Sequence, residues 1–183
     1  GDIPGVLAKA DMGATTVSGT LVLGDRLGIK VFATGGIGGV HRDWSKQLDV
    51  SADLLQLSRS RCLTVCSGAK SVLDISTTLE KLESVSVPLL LYGTDNFPEF
   101  YNEGKTAPFG TRCDQPSEVA RALQLSLELY GRAPLVVNPI PKEYGIHQDK
   151  LENWVTEGLF EAQRKGIEGK AVTPFLLSYV AEV

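Results

Sequence analysis

The chain has 183 residues and a mass of 19.7 kDa, which is enough for one domain with a substantial core, whereas two domains would be cramped. A hydrophobic fraction of 43% and a charged fraction of 22% are typical of globular proteins and exclude a disordered or fibrous chain. The formal net charge of -4 argues against a nucleic-acid duplex as partner, because proteins that bind duplexes usually present a basic face.

Membrane and export signals are missing from the sequence. No apolar run is long enough to span a membrane, and the first residues lack the charged and apolar blocks of a signal peptide. Three cysteines cannot all pair, and Cys62 and Cys66 lie inside one apolar run, which indicates reduced core thiols. We therefore expect a cytoplasmic protein that contacts neither nucleic acid nor membrane.

Helical and strand-like patterns alternate along the chain. In order, the sequence predicts a helix over residues 15–27, a strand over 29–33, a helix over 51–60, a strand over 62–66, a helix over 71–84, a strand over 89–92, a long loop over 93–112, a helix over 116–130, a strand over 135–138 and a helix over 148–165. This alternation predicts βαβ units, and hence an α/β fold with a largely parallel sheet covered on both faces. In such sheets, ligands bind outside the carboxyl ends of the strands.

A glycine-rich segment, TGGIGGVHR at residues 34–42, follows the first predicted strand. Its glycines can adopt positive φ, so that successive N–H groups form a nest for an anion, while His41 and Arg42 are further candidates for a phosphate or a base edge. A tight turn without a ligand is the structural alternative. An NAD-dependent oxidoreductase is a third interpretation that rests on the glycines alone, because His41 occupies the position of the last glycine or alanine of the dinucleotide fingerprint.

Lys70 lies in the segment CSGAKS, just after a predicted strand and at the predicted start of the next helix. The positive end of a helix dipole, together with partial burial, favours the neutral amine that Schiff-base chemistry requires. The alternative is a solvated surface lysine.

Two carboxylates and a serine are clustered in the segment DVSADL at residues 49–54. Ser51 as a helix N-cap and Asp53 in the first helical turn are the ordinary explanation. The functional alternative gives Asp49 a hard divalent ion, such as Mg²⁺ or Mn²⁺, that is held mostly by water.

Several ordered motifs together resemble the pseudouridine-5'-phosphate glycosidase family, also called the indigoidine synthase A family. They are DIP at residues 2–4, GATTV at 13–17, FATGGIGGVHR at 32–42, DVSADL at 49–54, CSGAKS at 66–71, YGTD at 92–95, FP at 97–98, NPIP at 138–141 and GKAVTPF at 169–175. The resemblance covers almost the whole chain. It implies a three-layer α/β/α fold, a homotrimer and a divalent metal, usually Mn²⁺.

The resemblance also implies an activity and a set of site residues. The family reversibly converts pseudouridine 5'-phosphate and water into uracil and ribose 5-phosphate, through an imine-type adduct between a lysine and the opened sugar. By their motifs, Lys70 matches the nucleophile and Asp49 the metal ligand. The expected substrate contacts are Val17, Ser51, Ala52 and Asp53, with Thr34, Gly35, Gly36 and His41 as the floor of the site.

Some family features fall outside the sequence. Family members carry a glutamate proton donor and a phosphate-binding lysine upstream of the motif with which this chain starts, and an asparagine downstream of the matching region. We therefore expect residues 1–183 to be a partial domain, with its own activity left open. The alternative is a catalytically impaired, truncated homologue that binds sugar phosphates or oligomerises. In some eukaryotes the domain is fused to a ribokinase-type sugar kinase, which the parent chain would then include.

Overall fold

Five short strands form one sheet within residues 2–42 and 48–182, the part of the chain that the computed structural model describes. The strands are β1 (Val31–Ala33), β2 (Leu63–Cys66), β3 (Leu89–Tyr92), β4 (Thr111–Cys113) and β5 (Leu135–Val137). Their order across the sheet is β1-β2-β5-β3-β4, and every neighbouring pair is parallel. The prediction of a parallel α/β sheet is confirmed.

The ends of the helices are set by local interactions, as α5 illustrates. They are α1 (Ile3–Ala8), α2 (Val17–Leu27), α3 (Ala52–Leu57), α4 (Ile75–Ser84), α5 (Pro116–Tyr130), α6 (Gln148–Arg164) and α7 (Val172–Glu182), with 3₁₀ turns at Lys142–Tyr144 and Gly169–Ala171. A capping box between Gln115 and Glu118 opens α5, and Gly131, with a φ of 69°, closes it. The bounds of α5 are those that its apolar stripe predicts.

Two hydrophobic clusters cover the two faces of the sheet. Leu89 and Leu91 of β3 belong to the larger cluster, which α2, α3, α4, α6 and α7 complete, whereas Leu90 belongs to the smaller cluster under α5. Alternate residues of one strand point to opposite faces, so these memberships place helices on both sides of the sheet. The fold is therefore the expected three-layer α/β/α arrangement.

Strand β4 corrects the prediction of an unstructured loop over residues 93–112. Two of its three residues, Thr111 and Arg112, are exposed, and Cys113 is buried. It pairs only at the edge of the sheet, with β3. An edge strand this short and polar carries no apolar run, so the sequence gives no strand signal there.

The start of α4 is also different from the prediction. The helix begins at Ile75 instead of Ser71, because the Asp74 carboxylate caps it by accepting a hydrogen bond from the Thr77 amide at 2.9 Å. Lys70 thus precedes the helix and lies outside its first turn. The helix-dipole argument for a neutral Lys70 amine is therefore wrong.

The three cysteines are free and buried, as expected for core thiols. Burial raises the pKa of the Cys66 thiol to about 12, and hydrogen bonds from the main chain at Gly68 and Ile37 only partly offset this effect. Among the helices in the described part of the chain, none has the length and apolar character needed to cross a membrane.

Candidate functional site

A cleft of about 490 Å³ lies at the carboxyl ends of β1 and β2. Its walls are formed by Thr15, Thr16, Val17, Thr34, Gly35, Gly36, Gly38, Gly39, His41, Ser51, Asp53, Lys70, Leu73, Phe100 and Thr173. All the predicted site residues line this cleft except Ala52 and Asp49. The location agrees with the general rule that ligands bind beyond the carboxyl ends of parallel strands.

Main-chain hydrogen bonds fix Lys70 beside the glycine-rich segment. The amide of Ser67 donates to the carbonyl of Gly35 at 3.0 Å, and the amide of Ile37 donates to the carbonyl of Gly68 at 3.0 Å. The amide of Lys70 itself donates to the carbonyl of Ile37 at 3.2 Å. The two segments that follow β1 and β2 thus continue side by side past the strands, and the lysine takes its place from this pairing.

The four glycines of residues 35–39 do not form the expected anion nest. None of them has a positive φ, so the predicted conformation is wrong. They instead leave room for side chains from elsewhere: a Cβ at Gly36 would lie 2.9 Å from Cε2 of Phe100, and a Cβ at Gly39 would lie 2.7 Å from Cγ2 of Thr78. These glycines are needed because neighbouring side chains approach the main chain closely.

Asp53 links three parts of the cleft wall. Its side chain is buried, with the residue 5% exposed. One carboxylate oxygen accepts from the Ser18 amide at 2.8 Å, and the other accepts from the Gly38 amide at 2.9 Å. Since Ser18 lies in the first turn of α2, the negative charge also meets the positive end of that helix.

Ser51 has the capping role that was the ordinary explanation for this serine. Its hydroxyl accepts a hydrogen bond from the Asp53 amide at 3.2 Å, which opens α3. A Cβ at Gly38 would lie 2.7 Å from the Cβ of Ser51, so the glycine and the cap are in close contact. The cap thereby fixes the wall of the cleft as well as the helix.

His41, which lines the cleft, forms a pair with Asp49, which does not. Nε2 of His41 lies 3.5 Å from Oδ2 of Asp49, and each side chain is 22% exposed. The Thr173 hydroxyl lies 3.2 Å from the His41 ring nitrogens. Asp49 faces a second cavity, of about 570 Å³, which His41 also lines.

The pair offers the oxygen and nitrogen donors that Mn²⁺ accepts. Within residues 2–42 and 48–182, no group of three or more His, Cys, Asp or Glu side chains is placed to hold a metal ion. The donors present therefore fit only an ion that keeps most of its ligands as water.

Arg42 was a candidate phosphate ligand with a surface turn as the favoured alternative, and in the structure its side chain is bound to other parts of the protein. Its guanidinium donates to both carboxylate oxygens of Glu152 at 3.0 Å and to the Ser71 carbonyl at 3.1 Å. This bidentate pair ties the end of the glycine-rich segment to α6.

Like Leu73, Phe100 lines the cleft although sequence reasoning did not find it. It lies in the predicted loop over residues 93–112, and its ring packs on the main chain of Gly35 and Gly36. The available signal was the cluster of aromatic residues in a loop otherwise rich in proline and glycine.

The family model described as "Indigoidine synthase A like protein" matches residues 1–183. The chain belongs to this family. Among curated relatives, it is 45% identical over 183 residues to a pseudouridine-5'-phosphate glycosidase of Clostridium botulinum and 43% identical over 184 residues to one of Solibacter usitatus, with all of this chain aligned in both cases. It spans 60% and 61% of the length of these two relatives.

Two crystal structures of family members closely match the fold. The prealnumycin C-glycosynthase AlnA, in complex with ribulose 5-phosphate, matches with a TM-score of 0.91 and 40% identity, over 99% of this chain and 60% of that one. An indigoidine synthase A-like protein of Thermotoga maritima matches with a TM-score of 0.88 and 40% identity, over 99% of this chain and 59% of the other.

Proposed function

We propose that this chain carries the nucleophile and part of the substrate cleft of a pseudouridine-5'-phosphate glycosidase. The reaction is the reversible cleavage of the carbon–carbon glycosidic bond of pseudouridine 5'-phosphate with uptake of water, giving uracil and ribose 5-phosphate in pseudouridine catabolism. The observation that carries the proposal is the convergence of Lys70 with the glycine-rich segment, Ser51 and Asp53 in one cleft. The curated relatives that are 45% and 43% identical to this chain carry this name.

Lys70 is the proposed nucleophile. In the direction of synthesis, its neutral amine adds to the aldehyde carbon of open-chain ribose 5-phosphate, water leaves, and an imine joins Nζ to C1 of the sugar. A covalent route suits this substrate because protonation of a leaving oxygen or nitrogen is not available at a carbon–carbon bond. The carbonyl-bearing sugar phosphate named with the AlnA structure belongs to the same chemical class.

The other proposed substrate contacts are residues in or next to the wall of the cleft. We assign Val17, Thr34, Gly35, Gly36, His41, Ser51, Ala52 and Asp53 to substrate binding. Ala52 does not line the cleft, so we assign it a main-chain role at the first residue of α3. Both oxygens of Asp53 already accept main-chain N–H groups, so its contribution combines positioning of the cleft with any direct contact.

Asp49 is the proposed protein ligand of a water-rich Mn²⁺ site, with His41 as its neighbour 3.5 Å away. When bound, such an ion would supply positive charge and ordered water near the sugar. The test is titration of Mn²⁺ followed by electron paramagnetic resonance. Asp49→Asn should weaken binding, and equal affinities for the two proteins would contradict the assignment.

The domain organisation, the oligomeric state and the cellular location belong to the same proposal. We propose one partial domain over residues 1–183, a homotrimer in the cytoplasm, and a parent chain that in some lineages includes a ribokinase-type kinase. Light scattering coupled to gel filtration tests the trimer, and a monomer across the micromolar range would refute it.

Borohydride trapping tests the assignment of Lys70. Ribose 5-phosphate and sodium borohydride are added to the protein, and the modified peptide is located by mass spectrometry. We expect the reduced sugar adduct on Lys70 and its loss in Lys70→Arg. The matched control is Lys81→Arg, at an exposed lysine in the last turn of α4, which should leave trapping unchanged. Modification of another lysine, with Lys70 untouched, would refute the proposal.

The alternative function is a sugar-phosphate-binding or oligomerising domain without turnover. The coverage of about 60% of the relatives' length favours considering it, because a whole active site need not lie within the chain. Calorimetry with pseudouridine 5'-phosphate separates the two functions. Binding with uracil release at background supports the alternative, whereas release at a rate comparable to the Clostridium botulinum relative supports the enzyme.

A further inference from the structure

Phe100 brings an aromatic ring to the wall of the Lys70 cleft, and the reaction proposed above gives it no task. Its backbone φ of 63° lies in the left-handed region, which bulky residues seldom occupy. Residues in such conformations persist where the surrounding structure over-determines them, and they occur often at ligand sites. The unusual backbone is therefore a reason to ask what the ring does.

The loop that carries Phe100 is anchored from both sides. The Phe100 amide donates to the Ser67 carbonyl at 2.9 Å, and the Ser71 hydroxyl donates to the Glu99 carbonyl. Gly68 has a φ of 78°, and a Cβ there would lie 2.6 Å from the carbonyl carbon of Pro98, so only glycine lets the loop approach. These contacts do not depend on a ligand, and they set the ring in place beforehand.

The ring itself packs against the floor of the cleft. A Cβ at Gly35 would lie 3.2 Å from Cε2 of Phe100, so the ring packs directly on the main chain of the glycine-rich segment. Tyr101 packs on it edge to face, with ring centroids 4.6 Å apart and an interplanar angle of 89°. Phe100 is nevertheless only partly buried and contributes to the cleft surface. Phe100 thus contributes an uncharged aromatic surface to the cleft that Lys70 also lines.

We propose that Phe100 is the surface on which the planar base of the substrate stacks, and that it sets the preference for a sugar phosphate whose C1 carries such a ring. The inference rests on the proposed function. Lys70 would attack C1, the same carbon that bears the base, so the base lies one bond from the atom that approaches Nζ. It must then occupy the cleft that Lys70 and Phe100 share. A phenyl ring offers a base a stacking partner and offers a phosphate no donor.

The test compares two ligands that differ by the base alone. Calorimetry measures the affinity of the unsubstituted protein and of Phe100→Leu for pseudouridine 5'-phosphate and for ribose 5-phosphate. Leucine keeps an apolar side chain of similar size without a flat ring. We expect Phe100→Leu to bind the nucleotide about tenfold more weakly and ribose 5-phosphate within about twofold of the original affinity. In turnover, KM for the nucleotide should rise with kcat little changed.

The control is Tyr144→Leu, at an aromatic side chain of the 3₁₀ turn Lys142–Tyr144 that is 74% exposed and lines neither of the two cavities described above. It should change neither affinity. Equal weakening of both ligands by Phe100→Leu would show a merely structural role, and unchanged affinities for both ligands would show that the base lies elsewhere. Either result overturns the inference while the trapping of ribose 5-phosphate at Lys70 still stands. Failure of the unsubstituted protein to bind or trap ribose 5-phosphate refutes the proposed function and this inference together.

Discussion

Replacing Asp53 by asparagine tests whether this carboxylate organises the cleft before any ligand binds. Its two oxygens accept separate main-chain N–H groups, from Ser18 at 2.8 Å and from Gly38 at 2.9 Å, and the residue is 5% exposed. Asparagine keeps the shape and one acceptor oxygen, but its NH₂ group is a donor. Ser18 or Gly38 must then lose its acceptor, with two donors facing each other in a buried place.

The magnitude follows from the hydrogen bond that is lost. A hydrogen bond to an ionised group contributes about 1.5–3 kcal/mol, and a buried donor left without an acceptor costs about 1–3 kcal/mol. Both effects concern the same pair of atoms, so we expect the free energy of unfolding to fall by about 2–4 kcal/mol. For a chain of 183 residues, this corresponds to a decrease in Tm of about 5–15 °C.

The assay is urea and thermal unfolding followed by circular dichroism, without ligand. Asp25→Asn is the control, because a single oxygen of Asp25 accepts from both the Ser60 hydroxyl at 3.0 Å and the Arg61 amide at 2.9 Å. Asparagine can supply that one oxygen, so a change of about 1 kcal/mol or less is expected. If the free energy of unfolding of Asp53→Asn lies within about 0.5 kcal/mol of that of the unsubstituted protein, the carboxylate does not hold the cleft together, and direct substrate binding becomes its main role.

Two further substitutions test the packing of the cleft wall and the effect of pH. Gly39→Ala places a Cβ 2.7 Å from Cγ2 of the fully buried Thr78 and should lower the free energy of unfolding by about 1–3 kcal/mol in urea titrations. The control is Gly5→Ala, which has nothing within 4 Å of the new Cβ and should not destabilise the protein. Equal effects of the two substitutions would contradict the packing argument. Burial raises the pKa of Glu99, so its stabilising contribution is present below the unfolded-state pKa and is lost as pH rises through the folded-state pKa. Glu99→Gln should therefore raise Tm near neutral pH, with the gain shrinking towards about pH 4, and thermal melts that show a constant difference would refute this reasoning.

The fold could be predicted from sequence wherever the signal was local. The buried strand at residues 89–92 and the helix at 116–130 have the predicted bounds, because a run of leucines and an amphipathic stripe each report their own burial. Strand β4 could not be found, because what makes Thr111–Cys113 a strand is its pairing with β3, a contact between separate segments. The start of α4 moved because Asp74, a better cap than the residues before it, lies inside the predicted helix.

The sequence predicted which residues form the site better than it predicted the physical reasons for their positions. The motifs indicate nearly all the residues that line the cleft, but they do not reveal why the glycines are there. Gly36 accommodates Phe100 and Gly39 accommodates Thr78, which are distant in sequence and therefore invisible to local pattern reasoning. The glycines indicated either an anion nest or a tight turn without a ligand, whereas the structure shows a segment against which Phe100 and Thr78 pack.

This packing changes where a phosphate can bind. The amides of Ile37, Gly38, Val40 and His41 already donate to Gly68, Asp53, Thr78 and Asp49, respectively. An anion nest needs successive free N–H groups, and a phosphate would have to displace these acceptors one by one. Arg42 is bound to Glu152, so it is not a ready substitute. We therefore expect a phosphate to be bound less by the amides of residues 37, 38, 40 and 41 than by a cation or by other amides of the cleft. The family resemblance implies such a cation, a lysine upstream of the matched motifs, and the contacts that the glycine-rich segment makes in this structure hold Lys70 and Phe100 in one cleft.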